Sequence, residues 1–407
     1  MRENKPQPKR GTPDFQLLIL TLLLVGFGLV MVFSSSSSFA LSSKHHDAMY
    51  FTKKQFIWAA LGTFVMFVAM NIHYTKYKKL FVPMFMVTIV LLILVVIIGR
   101  ASNGATSWFN LGKLGIQPTE LAKISTILYL AALIVKKGER FRDFRTGYIP
   151  VMLIVGFVAG LIMMQPDLGS CLILVATCAL IIYAGGASVK HMFGSAALLI
   201  LGISIILGAN ALIKSMVHSG DSAAESSYRM DRITAFLDPE ADAEGIGYNL
   251  IQSLTAIGEG GVTGSGFGNS IQKLGFLRNS HTDFIFSVIG EEFGFIGTAL
   301  FLLVYIYFIW RGILVALRCP DPYGTLVGIG IMGLIAIQAF INIGGVSQTI
   351  PLTGVTLPFI SYGGSSLLVM MLCMGIMLSI SRVSIHTPVK EEYTKSVTIK
   401  KDYRKTV

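Results

Sequence analysis

Charge is what this chain has least of. Asp, Glu, Lys and Arg make up 14% of its 407 residues, where a soluble domain carries about 25%. Acid is the scarcer sign, with 22 Asp and Glu against 33 Lys and Arg. With 53% of the residues hydrophobic, an ordinary soluble enzyme is excluded. Cysteine is nearly absent too. Of the four, Cys171, Cys178 and Cys373 fall in or beside apolar segments and Cys319 in a loop assigned to the cytoplasm, so no outer disulfide framework is expected. No cleavable leader is expected: the first apolar run shows no cleavage site and is long enough to span a bilayer.

Apolar length is what the chain has. Runs of roughly 20 residues cross the hydrocarbon core as helices, and ten are expected, near 15–35, 55–71, 80–99, 119–135, 148–165, 168–185, 191–213, 283–310, 324–345 and 358–381. They are too long and continuous for barrel strands, so the fold class is an all-α polytopic membrane protein. Residues 1–14 form a cytoplasmic N-terminal segment, 15–385 the ten-helix membrane domain, and 386–407 a basic tail read as disordered. With the N-terminus inside, 22 of the 33 Lys and Arg fall on cytoplasmic pieces or at their helix ends. That bias places both termini in the cytoplasm. The net charge of +11 then faces anionic lipid, not nucleic acid.

One large polar piece interrupts this pattern, an outer loop at 217–282 ending in Ser280-His281-Thr282-Asp283. A bundle needs no such insert merely to cross a bilayer, so chemistry is expected beneath it. The polar motifs cluster at outer helix ends: Gln117-Pro118-Thr119-Glu120 opens the fourth span, Gln165-Pro166-Asp167 the sixth, Asp283 the eighth, and the tenth starts near Pro358. Proline and acidic residues suit a first helical turn. If these ends meet, their N–H groups and partial positive charge make an anion site. Arg229 and Arg232 in the loop and Lys123 inside the fourth span would add full charges, a fit for a lipid diphosphate.

Each candidate has a plainer reading. Ser280 and Asp283 approximate a capping box. Glu120 and Lys123, three apart, suit a structural ion pair as well as a functional one. Asp167 is also a natural helix-terminus acid. Glu291 and Glu292 point in different directions from Asp283, so packing is expected for at least one. His45-His46-Asp47 lacks further ligands and reads as exposed loop, and His281 either positions Asp283 or is solvated. Ser34–Ser38 reads as a helix exit. The glycines of 258–268 lack the lysine of a P-loop and read as flexible backbone. Gly363–Ser366 serves close helix packing as readily as ligand contact.

Taken in order, the motifs resemble the SEDS family, the RodA, FtsW and SpoVE proteins, over Asp14 to Arg382. The marks are Gln117-Pro118-Thr119-Glu120-Leu121-Ala122-Lys123, Gln165-Pro166-Asp167-Leu168-Gly169, Ser253-Leu254-Thr255-Ala256-Ile257-Gly258, His281-Thr282-Asp283-Phe284-Ile285-Phe286 and the run Leu357-Pro358-Phe359-Ile360-Ser361-Tyr362-Gly363-Gly364-Ser365-Ser366. The end of the first span, Gly28 to Ser34, looks closest to the division and sporulation branch. The resemblance implies a peptidoglycan glycosyltransferase that polymerises lipid II on the outer face of the bacterial cytoplasmic membrane, at the division septum for that branch. It implies that Asp283 is catalytic, that Glu120 and Lys123 are a polar pair in a central cavity, and that Asp167 is their neighbour. Further candidate substrate contacts are Arg229, Arg232, Gln252, His281, Thr353 and Ser361. Implied partners are a class B penicillin-binding protein and other divisome or elongasome proteins. The family's arginine before the tryptophan of the loop leading to the fourth span is replaced here, since Thr106 and Ser107 precede Trp108.

The residues permit one mechanism. A carboxylate such as Asp283, with a reference pKa of about 3.9, is expected to be ionised at neutral pH and to serve as general base for a sugar hydroxyl. The diphosphate leaving group needs cations more than a proton. No cofactor is fixed by the sequence; a divalent cation, Mg2+ or Mn2+, is compatible with such a leaving group. The rival readings are a lipid II flippase, favoured by charges within a span but lacking a visible inverted repeat, and a non-catalytic division scaffold.

Overall fold

A computed structural model of the protein describes residues 11–42, 46–98, 100–102, 105–111, 114–165, 167–195, 197, 232, 234–242 and 245–384. The elements that matter here are α1 (Phe15–Ser42), α2 (Tyr50–Asn71), α3 (Tyr74–Ile98), α4 (Pro118–Lys137), α5 (Ile149–Met163), α6 (Leu168–Ala184), α7 (Ile246–Glu259), α8 (Ile285–Leu317), α9 (Pro322–Val346) and α10 (Gly364–Ser384). Nine of the ten expected spans are thus helices. The seventh, 191–213, lies almost wholly outside the described residues. Seven helices are long and apolar enough to cross a membrane by length and composition, and α6 is a shorter apolar one. Between α3 and α4 runs a small antiparallel meander, β1 (Arg100–Ser102), β2 (Ala105–Leu111) and β3 (Leu114–Ile116), in the order β1-β2-β3. Phe109 pairs with Ile116 across β2 and β3.

The bundle is sorted by burial. Helices α4, α9 and α10 are enclosed, whereas α3 and α8 turn Val87, Val90, Phe295, Leu300 and Leu303 outward. Exposed apolar side chains all around a bundle are what lipid requires. With no difference in hydrophobicity between lipid and helix faces, close approach supplies the cohesion, and small residues allow it. A Cβ on Gly375 of α10 would stand 2.6 Å from Ala69 Cβ on α2, and one on Gly28 of α1 would stand 2.2 Å from the carbonyl of Phe359. Chain ends meet on one side: Arg311 Nη2 pairs with Asp14 Oδ2 at 2.6 Å, and Gly11 N donates to Arg382 O at 3.0 Å.

Helix ends follow local chemistry. Gln117 is extended and Pro118 occupies the first turn of α4, which ends at Gly138 with φ 55° after Lys136 and Lys137. Three boundaries differ from expectation. Helix α1 continues through Ser34–Ser38 to Ser42, because the buried serines find partners: Ser34 Oγ donates to Glu292 Oε1 (2.5 Å) and Ser35 Oγ to Met31 O (2.7 Å). Helix α8 begins at Ile285, two residues after Asp283. Helix α10 begins at Gly364, not near Pro358, since Phe359 takes a left-handed φ of 67° and Leu357 N donates to Ser361 Oγ, turning the chain back toward α8.

The outer loop is folded where it is described. Within it, α7 packs on α8, and the glycine-rich stretch after α7 patches a break in α8 at Gly294, whose φ/ψ of 62°/−165° is not helical. Phe295 N and Ile296 N donate to Gly261 O and Val262 O, while Ser265 N and Gly266 N donate to Glu291 O and Glu292 O. Gly264, at φ +82°, has no room for a Cβ, which would meet Glu292 O at 2.2 Å. These glycines therefore serve backbone repair at membrane depth, where an unpaired peptide group is costly. They form no phosphate loop.

Candidate active site

Opposite the chain termini, the N-terminal ends of α2, α4, α6, α7 and α10 and the loop before α8 surround one cavity of about 540 Å³. The convergence expected of four helix ends is present, and α2 and α7 join it. Asp283, Glu120, Lys123, Asp167, Arg232 and Thr353 all lie on its wall.

Asp283 is held by its neighbours' backbone. Three successive carbonyls are clamped from other elements: Tyr362 N donates to His281 O at 2.9 Å, Ser361 Oγ to Thr282 O at 2.6 Å, and Asn342 Nδ2 to Asp283 O at 2.7 Å. Burial pushes the Asp283 carboxyl up to about 7, with the Arg232 guanidinium pulling it down. Enclosure of this kind raises a carboxyl above the reference value of about 3.9 from which full ionisation at neutral pH was expected. Arg232 is anchored by donating from Nη1 to Thr353 O at 2.9 Å.

Across the cavity, Lys123 Nζ donates to Glu120 Oε1 at 2.8 Å and to Gln338 Oε1 at 3.1 Å. Lys123 is 2% exposed and Glu120 5%. Glu120 Oε2 and Thr353 Oγ1 are buried with no hydrogen-bond partner among the described residues, on two residues that line the cavity. Asp167 does both things open to it: Oδ1 accepts from Ser170 N (2.9 Å), capping α6, and Oδ2 accepts from Gln117 Nε2 at 3.3 Å on the cavity wall.

Three sequence candidates are not on that wall. His281 packs its ring against Phe39, Phe51 and Tyr362, and burial pushes its imidazole down to about 4. A neutral, enclosed ring is a packing piece, not a substrate contact. Ser361 spends its hydroxyl on Leu357 N and Thr282 O. Gln252 sits on α7 outside the cavity lining. Arg229 lies outside the described residues.

Glu291 and Glu292 are structural, as the helical geometry suggested for at least one. Glu291 Oε1 accepts from Ile271 N at 2.6 Å and its Oε2 from Ser270 Oγ at 2.5 Å, while Glu292 pairs with Lys273 at 2.7 Å. Sequence reasoning missed Lys54 and Trp58 of α2, Asn249 of α7 and Gln338 of α9, all on the wall. A lysine one turn inside α2 was the available signal for the first; a lone glutamine in an apolar span was the signal for the last. Among the described residues, no three of His, Cys, Asp and Glu group to hold a metal.

Comparison with known proteins agrees with this arrangement. The family model for FtsW/RodA/SpoVE cell cycle proteins matches residues 15–386. The chain is 41% identical over 378 residues to stage V sporulation protein E of Bacillus subtilis (92% of this chain, 99% of that one). It is 39% identical over 377 residues to a probable peptidoglycan glycosyltransferase FtsW of Geobacter metallireducens (92% and 96%). Among solved structures, it is similar to a chain from a peptidoglycan synthase complex described as coordinating polymerization and crosslinking (TM-score 0.72, 28% identity, 92% and 99% covered). The rod shape determining protein RodA of Thermus thermophilus is similar too (TM-score 0.65, 27% identity, 91% and 97% covered). With a buried ion pair, a clamped aspartate and five helix ends around one cavity in a membrane bundle, the chain belongs to the FtsW/RodA/SpoVE family of cell cycle proteins.

Proposed function

We propose that this membrane protein is a peptidoglycan glycosyltransferase that polymerises lipid II on the outer face of the bacterial cytoplasmic membrane, at the septum if it serves division. The observation that carries the reading is geometric: Asp283, fixed by hydrogen bonds to three successive carbonyls, shares the wall of one cavity with Arg232 and Lys123. An acid poised near neutrality is suited to general-base work.

The acceptor's GlcNAc 4-hydroxyl loses its proton to Asp283 as its oxygen attacks C1 of the donor's MurNAc. The bond from C1 to the polyprenyl diphosphate breaks on the opposite face, so an α-linked donor gives a β-linked glycan. Arg232 and Lys123 receive the departing negative charge, which developing diphosphate needs more than a proton. Glu120 and Asp167 are assigned to sugar hydroxyls and Thr353 to a diphosphate oxygen, and Glu120 also fixes where Lys123 points. No enzyme nucleophile is needed, and no step is routed through a metal.

A lipid tail has somewhere to go. An apolar groove lined by Leu80, Pro83, Met84, Val87 and Leu91 of α3 reaches Leu121, next in sequence to Glu120. The glycan leaves outside the membrane, where a class B penicillin-binding protein, and other divisome or elongasome proteins, would meet it. The test is labelled lipid II with purified protein in vesicles. Glycan from wild type and none from Asp283→Asn is expected, whereas lipid movement without glycan would instead make the protein a flippase. Polymerisation by correctly inserted Asp283→Asn would remove Asp283 from the mechanism.

A further inference from the structure

Two amides on α9, neither signalled by the motifs, join the two sides of the cavity. Gln338 and Asn342 are four residues apart and so share one helix face. Both are buried, at 1% and 3% exposure, in a span where an unbonded amide is costly. Asn342 Nδ2 donates to Asp283 O and to Val355 O, each at 2.7 Å. Gln338 Nε2 donates to Thr356 O at 3.0 Å, and its Oε1 accepts from Lys123 Nζ at 3.1 Å. The orientation of Asn342 is forced, because turning its amide over would set an oxygen against two carbonyl oxygens.

The pattern is a ladder. One rung ties Asp283 to residue 355, the next ties Lys123 to residue 356, and α9 is the common rail. We propose that Gln338 and Asn342 are positioning residues that fix the separation of Asp283 and Lys123 across the cavity by anchoring both to the backbone of Val355 and Thr356. The proposal rests on the reading of Asp283 as base. Asn342 acts only through the backbone of Asp283, and Gln338 through the ammonium of Lys123. Misplacing a reacting group by about 1 Å costs on the order of 10²-fold in rate, which is the scale on which such a ladder matters.

The experiment uses full-length protein with labelled lipid II, together with amide hydrogen exchange in the same detergent. Asn342→Ala is expected to lower kcat about 10²-fold while moving KM less than about threefold. Exchange should quicken in 281–286 and 353–357 and stay unchanged in α1 and α5. Gln338→Glu, which keeps the acceptor for Lys123 but loses the donor to Thr356 O, should retain more activity than Gln338→Leu. The double Ala variant should cost less than the product of the singles, since both act on one segment. Wild-type kcat in Asn342→Ala, or unchanged exchange at 281–286, would overturn the proposal; so would a loss of activity matched by faster exchange throughout the bundle. If wild type itself makes no glycan, the functional reading fails, and exchange in Asn342→Ala still decides whether the ladder holds Asp283.

Discussion

Lys123 and Glu120 form an ion pair at 2.8 Å with almost no exposure. Removing one partner of such a pair leaves a buried charge alone, a loss of about 3–5 kcal/mol, while replacing both with apolar residues is often neutral. Lys123→Met is therefore expected to lower the melting temperature sharply, and Glu120→Leu/Lys123→Leu to restore it. Glycan synthesis should be absent in both variants. A double variant that polymerises lipid II would reduce the pair to packing.

The pH dependence follows from Asp283. A general base works only when ionised, so kcat/KM should rise with pH along a limb centred near the value of about 7 for this carboxyl, falling about tenfold per unit below it. Stability runs the other way. The folded carboxyl holds its proton more tightly than the unfolded one, so the stability it confers is intact below the free carboxyl's value of about 3.9 and is lost as pH rises to about 7. Relative to wild type, Asp283→Asn should gain melting temperature progressively across that window and level off above it. A rate limb near 4 would show that the carboxyl is not withdrawn from water.

Gly354 adopts φ +72°, and a Cβ there would lie 3.6 Å from both Arg232 Nη2 and Asp283 Oδ2. Gly354→Ala should cost about 1–2 kcal/mol for the left-handed backbone. Its methyl would also stand against the two groups that handle the proton and the leaving charge, so a rate loss of about tenfold or more is expected. Stability lost without any change in glycan rate would separate Gly354 from the chemistry.

The helical spans were legible because lipid imposes apolar length, and the motif order identified Glu120, Lys123, Asp167 and Asp283 as one site. Convergence was expected only on the condition that the helix ends meet; what sets Asp283 in place is donation from Tyr362 N, Ser361 Oγ and Asn342 Nδ2, which nothing local announces. Ser34–Ser38 misled for a similar reason. A serine run looks like an exit until Glu292 and Lys273, over two hundred positions away, supply its partners. His281 sits two residues from Asp283 and still faces a different environment, because its side chain enters an aromatic cluster formed by α1, α2 and the turn before α10. Neighbours in sequence share a site only when the turn between them permits it.

Helix α6 has 17 residues, a rod of about 26 Å at the usual rise, against about 30 Å of hydrocarbon. A rod shorter than the hydrocarbon is accommodated by local thinning of the bilayer or by flanking polar residues reaching the interface. The cavity-side end of this short rod is Asp167, which caps α6 on the cavity wall. Thinning of the bilayer at this helix would shorten the climb of a phosphorylated lipid out of the leaflet beside that cavity.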